Sequence, residues 1–442
     1  MNTRDFVKTF IRVAIIIILQ NMISYSANVA DNIMLGIYAQ AALSAATIIN
    51  QLQFIFQQMI NGLGEGLVTI CARAWGKNDK RIVYKYSCIA VIIGLVTAVV
   101  LTFITALFPT QIMMIFTKDP LITSEGLVYL SIIKFTYIPF AVTTILLSAL
   151  RSMENVNIGL IVSMSTLGIN IVLNYLLIYG NMGFPELGVS GAAIATLISR
   201  LVEITIVVLY IYKKHKKMLS AISSVSKDMV RNILTISMPI MIVQTAFGLS
   251  ISVQTAILGH MSSDAIAANS VATNIFQYLK IIAIGSSSAT VVVLGKVIGS
   301  GELKLFNRYK KMLQYIYLGI GIGICIILNV VKYPLVSIYS LTDNTKSMAV
   351  CIITILSIAA IGMAYQMPTN NGIIRAGGDT GYALKVDLIS IWLIMYPVTI
   401  IALFIFKASP LVVVALLNSD QIFKCIPIFI KANFRYKMKS IE

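Results

Sequence analysis

The sequence predicts an all-α integral membrane protein, with twelve transmembrane helices in two pseudo-symmetric six-helix lobes. Three observations carry this expectation. The first is composition: 58% of the 442 residues are hydrophobic and 12% are charged. Mean hydropathy is +0.88, whereas a soluble chain is nearer half apolar and a quarter charged. The second is a series of apolar stretches, each long enough to cross roughly 30 Å of hydrocarbon. The third is an internal repeat. ADNIMLGIYAQAALSAATIINQ, from Ala30, returns as VQTAILGHMSSDAIAANSVATN, from Val253, at an offset of 223 residues. The same offset puts Gly36 on Gly259, Ala45 on Ala268 and Gly76 on Gly299, while LRSMEN at Leu150 and IRAGGD at Ile374 repeat at 224.

In the amino half the spans lie near 13–36, 45–70, 86–112, 124–149, 158–180 and 187–211. Span one carries Gln20, Asn21, Ser24, Tyr25, Ser26 and Asn28 ahead of Asp31. Span two carries Asn50, Gln51, Gln53, Gln57 and Gln58, then Glu65 within GLGEGL. Amides facing lipid are costly, so many of these should face an aqueous cavity. Phe54, Phe56 and Met59 would make its wall a mixture of amide, aromatic and pliable thioether. Span four holds Lys134 and Pro139, and span five reads LGINIVLNYLLIYG up to Gly180. Span six opens on GVSGAAIAT, where Gly188 and Ala192, then Gly191 and Ala195, form small-xxx-small pairs that permit close helix approach.

The carboxy half gives spans near 232–258, 264–294, 312–333, 347–368, 382–406 and 410–430. Pro239 and Pro368 fall inside two of them, where a missing N–H and the ring bend or break a helix. The one long polar connection, KKHKKMLSAISSVSKDMVR, joins the halves. The expected organisation is an amino-terminal lobe over 1–212, a cytoplasmic linker over 213–231 and a carboxy-terminal lobe over 232–442. Six spans return the linker to the side of the N-terminus. The halves are then parallel repeats about an axis along the membrane normal.

The net charge of +17 invites a nucleic-acid reading, but its distribution argues against one. Lys and Arg gather before span one, between spans two and three, six and seven, and eight and nine, and at the C-terminus. The opposite loops offer only Lys118, Lys332, Lys346 and Lys407. This positive-inside pattern sets orientation, with both termini cytoplasmic in a cell membrane, and no nucleic-acid partner is expected. No cleavable signal peptide is visible. Cys71, Cys88, Cys325, Cys351 and Cys425 are scattered, so neither disulfide nor metal is inferred, and His215 and His260 lie in loops.

Asp31 is the strongest single signal for chemistry. A carboxylate among lipid-level helices costs about 2.5–3.5 kcal/mol on insertion scales. In the repeat register it faces Gln254. Asn170 and Asn174 are four residues apart and share one helix face, at the depth of Asp31. Thr196 lies some two turns into span six. One carboxylate, two amide oxygens and a hydroxyl form a hard, oxygen-only set suited to Na⁺. A carboxyl group can equally carry H⁺. Glu203, three residues after Arg200, reads as an intrahelical ion pair. Asp387 reads as solvated near the cytoplasmic end of span eleven, and Asp420 as a further acid at membrane level. Lys134 and Lys280 either pair with such acids or snorkel.

The chain resembles the multidrug and toxic compound extrusion (MATE) transporters along almost its whole length. The segments that carry this are ADNIMLG, GLGEGLVTICARAWGKND, SMPIMIVQTAFG, DAIAANSVATNIF, IIRAGGDTGYALK and the stretch from Leu150 to Arg200. The resemblance implies a V-shaped central cavity and antiport, with drugs exported as Na⁺ or H⁺ enters and no other cofactor. It implies an amino-lobe cation site at Asp31, Asn170, Asn174 and Thr196, with Tyr129 beside it. Other family members carry acids in spans seven, eight or ten. The corresponding stretches here show Gln244, Phe247 and Gln254, then AYQMPTNNG, so the carboxy lobe is expected to lack the acids for coupling. Candidate cavity residues are Tyr129, Gln51, Gln58, Gln254, Gln244 and Glu65. The expected partners are small-molecule drugs, chiefly organic cations, and the lipid bilayer, with the protein acting as a monomer. The alternatives are a flippase for a lipid-linked precursor, which would want a strongly basic cavity, and an integral membrane enzyme. The latter lacks any GxGD, HExxH or His/Asp pairing to work with.

Overall fold

The computed structural model describes residues 3–117, 119–218, 226–339, 341–436 and 438. Twelve long helices follow in chain order: α1 (Thr3–Tyr38), α2 (Gln40–Gly76), α3 (Lys80–Leu107), α4 (Pro120–Ser152), α5 (Asn157–Tyr179), α6 (Gly188–Lys214), α7 (Lys227–Leu258), α8 (Ser263–Gly299), α9 (Leu303–Ser337), α10 (Asp343–Ile374), α11 (Thr380–Phe404) and α12 (Pro410–Asn433). A short helix, Pro109–Phe116, lies between α3 and α4. No strand occurs among the described residues.

Eleven of these helices are long and apolar enough to cross a membrane. The twelfth, α2, has 37 residues, but its amides and Glu65 interrupt every apolar window. The helices also run beyond their apolar spans. α1 begins at Thr3 rather than near residue 13. Arg4, Lys8 and Arg12 are good helix formers, and Phe6, Phe10, Val13 and Ile17 recur on one face, each at most 2% exposed.

Backbone packing divides the chain into two compact units, Leu19–Thr245 and Met1–Ile18 with Ala246–Glu442. The boundaries run inside α1 and α7 rather than through the linker. The linker is described only to residue 218 and again from 226.

In the first unit, Leu35, Ala42, Ala46, Ile49, Met113, Tyr129, Leu130, Ile133, Ile178, Val189, Ala192 and Ala193 form one apolar cluster. It ties α1, α2, α4, α5 and α6 together. α2 starts after a single extended residue, Ala39 (φ −161°, ψ 140°). Asp79 caps α3 by accepting from the N–H groups of Arg81 and Ile82 at 3.0 and 3.1 Å. Asp119 caps α4 in the same way, through Leu121 and Ile122, with Pro120 at the first helical position. A 3₁₀ turn, Lys134–Thr136, lies just before Pro139 in α4. Pro139 cannot donate to the carbonyl of residue 135, so the helix tightens there. GLGEG brings α2 against α7, where a Cβ on Gly62 would lie 2.6 Å from Met241 Cα.

The second unit packs α8, α9, α10 and α12 around Ala268, Ala272, Phe276, Leu328, Ile352, Leu356, Ala360 and Val414. Phe6 of its α1 segment stacks on Tyr309 at 3.9 Å between ring centroids. α10 passes into a π-helical turn, Thr369–Ile374, directly after Pro368, and α11 carries a second π turn at Ile389–Met395. α12 is broken into Pro410–Leu417, Asp420–Phe423 and Cys425–Asn433.

The small-residue pairs of α6 serve a close approach. A Cβ on Gly191 would stand 2.4 Å from the carbonyl oxygen of Leu177, a main-chain atom that cannot step aside. Gly191→Val is therefore expected to destabilise the protein by overpacking, by about 1–3 kcal/mol. Gly168→Val, into open space, should change little. Monodisperse protein remaining after a heat series in detergent measures both; equal survival would contradict the close approach.

Candidate functional site

Five helices of the Leu19–Thr245 unit line a cavity of about 240 Å³. α1 supplies Asn28, Asp31 and Asn32 to it, and α2 supplies Asn50, Gln53, Phe54 and Gln57. α5 contributes Ser163, Thr166 and Asn170, while α6 contributes Thr196, Ser199, Arg200 and Glu203. Tyr129 of α4 reaches the same wall.

At the centre of this set the Asn174 amide donates through Nδ2 to Asp31 Oδ1. The same Nδ2 lies 3.4 Å from Asn170 Oδ1. Asn174 is fully buried and Asn170 is 4% exposed. The carboxylate oxygen accepts only, so the amide must turn its N–H groups toward Asp31. Its carbonyl oxygen, Asn174 Oδ1, finds no hydrogen-bond partner. A buried acceptor without a donor is costly. Tyr129, 3% exposed, donates its hydroxyl to Asn50 Oδ1 at 3.2 Å.

The sequence expectation of a paired Arg200 and Glu203 holds, with Nη1 to Oε2 at 2.6 Å. The structure adds that this pair stands in the cavity wall, with the Arg200 guanidinium over the Phe140 ring at 5.1 Å. Asp31, Glu203 and Arg200 together leave the cavity one negative charge. One monovalent cation would neutralise it.

Asp31, Asn170, Thr196 and Tyr129 therefore come together as expected, and Asn174 joins them by its bond to Asp31. Gln51, Gln58, Gln244, Gln254 and Glu65 are not among the cavity residues. Glu65 instead forms an ion pair with Arg151 at 2.9 Å. Gln58 accepts from the Asn61 amide at 3.4 Å. Gln244 and Gln254 are half-buried on α7. The α2 residues that do line the cavity, Asn50, Gln53, Phe54 and Gln57, fall at i, i+3, i+4 and i+7, one helical stripe. Gln51 and Gln58 lie on a neighbouring stripe. Spacing alone could have sorted them.

The carboxy half departs from expectation. Asp387 is not solvated: it is 8% exposed and bonded to Lys424 at 3.0 Å. Lys424 also reaches Asp420 at 2.9 Å, and both of those residues are 2% exposed. A carboxylate this deep is held by an ammonium on the next helix instead of by water. Lys280 packs its ammonium over the Phe247 ring at 4.1 Å. Lys134 lies over Phe135 at 5.3 Å.

Comparison with known proteins agrees with this architecture. A probable multidrug resistance protein, NorM, from Thermotoga maritima is 25% identical over 395 residues, covering 89% of this chain and 85% of the relative. The probable multidrug resistance protein YoeA of Bacillus subtilis is 27% identical over 390 residues, covering 83% of this chain and 80% of the relative. The bent form of the Vibrio cholerae MATE transporter VcmN has the same fold, with a TM-score of 0.83 at 17% identity, covering 97% of each chain. The MatE family model matches residues 17–176 and 239–401, well over half the sequence. With twelve helices in two six-helix lobes and this match along both halves, the chain belongs to the MATE family of membrane transporters.

Proposed function

We propose that this protein is a multidrug exporter of the bacterial cell membrane. It moves amphiphilic, mainly cationic compounds outward in exchange for inward Na⁺, and its coupling site is Asp31 with Asn170, Asn174 and Thr196. Both termini are cytoplasmic. The multidrug part of the reading is supported by the names of the NorM and YoeA relatives. The coupling part rests on one observation: the Asp31 carboxylate is held by an Asn174 amide whose own carbonyl oxygen has no donor.

Na⁺ is favoured over H⁺ because the wall offers neutral oxygens beyond the single carboxylate. A proton needs one basic oxygen and nothing else. A hard monovalent ion needs several convergent oxygens, and Asn170, Asn174 and Thr196 supply them without further charge. The Arg200–Glu203 pair adds no net charge, so the site's demand stays at one cation.

Everted membrane vesicles expressing the protein test this with ethidium as the probe. With the proton gradient collapsed, a Na⁺ gradient at fixed pH should drive ethidium transport, and Asp31→Asn should abolish that transport with expression unchanged. Transport that ignores Na⁺ and follows the pH gradient would leave only H⁺ as the ion. Wild-type rates in Asp31→Asn would remove Asp31 from the mechanism.

Asn174→Ala should raise the Na⁺ concentration giving half-maximal transport by about tenfold, the loss of one ion-dipole contact worth 1–2 kcal/mol. Gln254→Ala, at the repeat position of Asp31, should retain full Na⁺ dependence. A Na⁺-independent Gln254→Ala would refute coupling through the amino lobe alone.

A further inference from the structure

The chain turns sharply where α6 ends. His215 is half-buried, a 3₁₀ turn follows over Lys216–Met218, and Met218 is buried. The Met218 carbonyl oxygen accepts from Cys88 Sγ of α3 at 3.1 Å. The turn is therefore docked on α3, and His215 stands between two helices. Each presents a lysine and a tyrosine four residues apart on one face: Lys80 and Tyr84 on α3, Tyr210 and Lys214 on α6. Both phenol rings pack on the imidazole, at 6.2 and 6.4 Å between centroids. The Tyr84 hydroxyl is 3.2 Å from His215 Nδ1. The Lys214 ammonium lies over Tyr210 at 5.0 Å, and the Lys80 ammonium over Trp75 at 5.6 Å.

Two features set this corner apart from a solvated basic face. First, its positive charge has no counter-charge. Partial burial, then the fields of Lys80 and Lys214, push the His215 imidazole below its ordinary pKa, and no carboxylate opposes them there. Among the described residues neither ammonium is in an ion pair. The acid next to Lys80, Asp79, spends its Oδ1 on the N–H groups of Arg81 and Ile82. Second, a hydrogen-bond donor is left over. If Tyr84 donates to Nδ1, the neutral ring carries its hydrogen on Nε2. If Nδ1 donates to Tyr84, the phenol O–H is the one unspent. Either way, one directed donor besides the two ammoniums has no acceptor among the described residues.

The surroundings decide which anion fits. Leu201, Val208, Leu209 and Tyr212 recur along one stripe of α6 and are 36–54% exposed. In a bilayer such a stripe is a surface for acyl chains, and it leads to this corner. The Lys216 ammonium lies over Tyr212 at 5.3 Å. Aromatic and basic side chains together are what membrane helices place at headgroup level.

We propose that Lys80, Lys214 and the Tyr84–His215 pair bind the phosphodiester of an anionic phospholipid headgroup, as in phosphatidylglycerol. The two ammoniums supply the charge, and the Tyr84–His215 pair gives one directed hydrogen bond to a non-bridging phosphate oxygen. The acyl chains follow the exposed stripe of α6. A zwitterionic headgroup brings its own cation and gains less from the two lysines. The site is independent of which ion Asp31 takes.

His215 is one of two histidines in the chain and reports on its own site. A His260→Gln background leaves it as the single imidazole. The full-length protein is placed in nanodiscs, and the His215 ring is titrated by NMR at about 0.15 M salt, which attenuates the general surface potential. A bound phosphodiester favours the imidazolium. The midpoint should therefore stand about one pH unit higher in phosphatidylglycerol than in phosphatidylcholine. Lys80→Gln combined with Lys214→Gln should raise the midpoint in phosphatidylcholine, by removing repulsion, and erase most of the difference between the lipids. Both positions are exposed, and elution as a single species confirms the fold. Inorganic phosphate added to phosphatidylcholine nanodiscs should not reproduce the shift. Equal midpoints in the two lipids would remove the site. A difference that the double variant keeps in full would assign it to general surface charge, and a shift reproduced by inorganic phosphate would replace the lipid with a free anion; each of the three overturns the proposal.

Discussion

One hydrogen bond organises the amino half: the Asn174 amide on the Asp31 carboxylate. Asn174 is fully buried and Asp31 lines the cavity beside it, so each constrains the other. The bond fixes the facing of α1 against α5 at one level and turns a pair of polar side chains into a lining. Around it the other polar groups settle into pairs of their own. Tyr129 goes to Asn50, and Arg200 goes to Glu203. The cavity is what remains between these pairs, and its chemistry is the remainder of their accounting: one net negative charge and one carbonyl oxygen without a donor.

Most of the fold was legible because a bilayer leaves the chain so little choice. Apolar length reports helices, and duplication reports the second half from the first. Helix ends were less legible. α1 continues ten residues below its apolar span because Arg4, Lys8 and Arg12 share a helix face opposite Phe6 and Phe10, and a hydropathy reading discounts such a mixed segment. The core of the site was legible too, since a lone acid and an Asn pair one turn apart are rare among apolar residues. The cavity wall was harder. The amides of α2 look alike in composition, and only their phase around the helix separates Gln53 and Gln57 from Gln51 and Gln58.

The carboxy half shows what single-residue reading overlooks. Asp387 taken alone reads as an acid close to water. Lys424, thirty-seven residues later, sits two helical turns inside the end of α12 and is what allows Asp387 to stay buried. Partners on different helices carry no common spacing in sequence. A charge that looks affordable only near solvent can be neutralised from a neighbouring helix, and the structure is needed to see which one.

The amide stripe of α2 also bears on how the protein is made. Eleven helices are apolar enough by length and composition to cross a bilayer; α2 is less apolar. Its Asn50, Gln53 and Gln57 are tolerable where they face the shared cavity, and its C-terminal end carries Arg73, followed by Lys77, Lys80 and Arg81. During synthesis this segment must therefore leave the insertion machinery in company, folded against α1 or waiting for α3 behind its anchoring charges. The helix that contributes most amides to the cavity is thus the one whose arrival in the membrane is expected to depend on its neighbours.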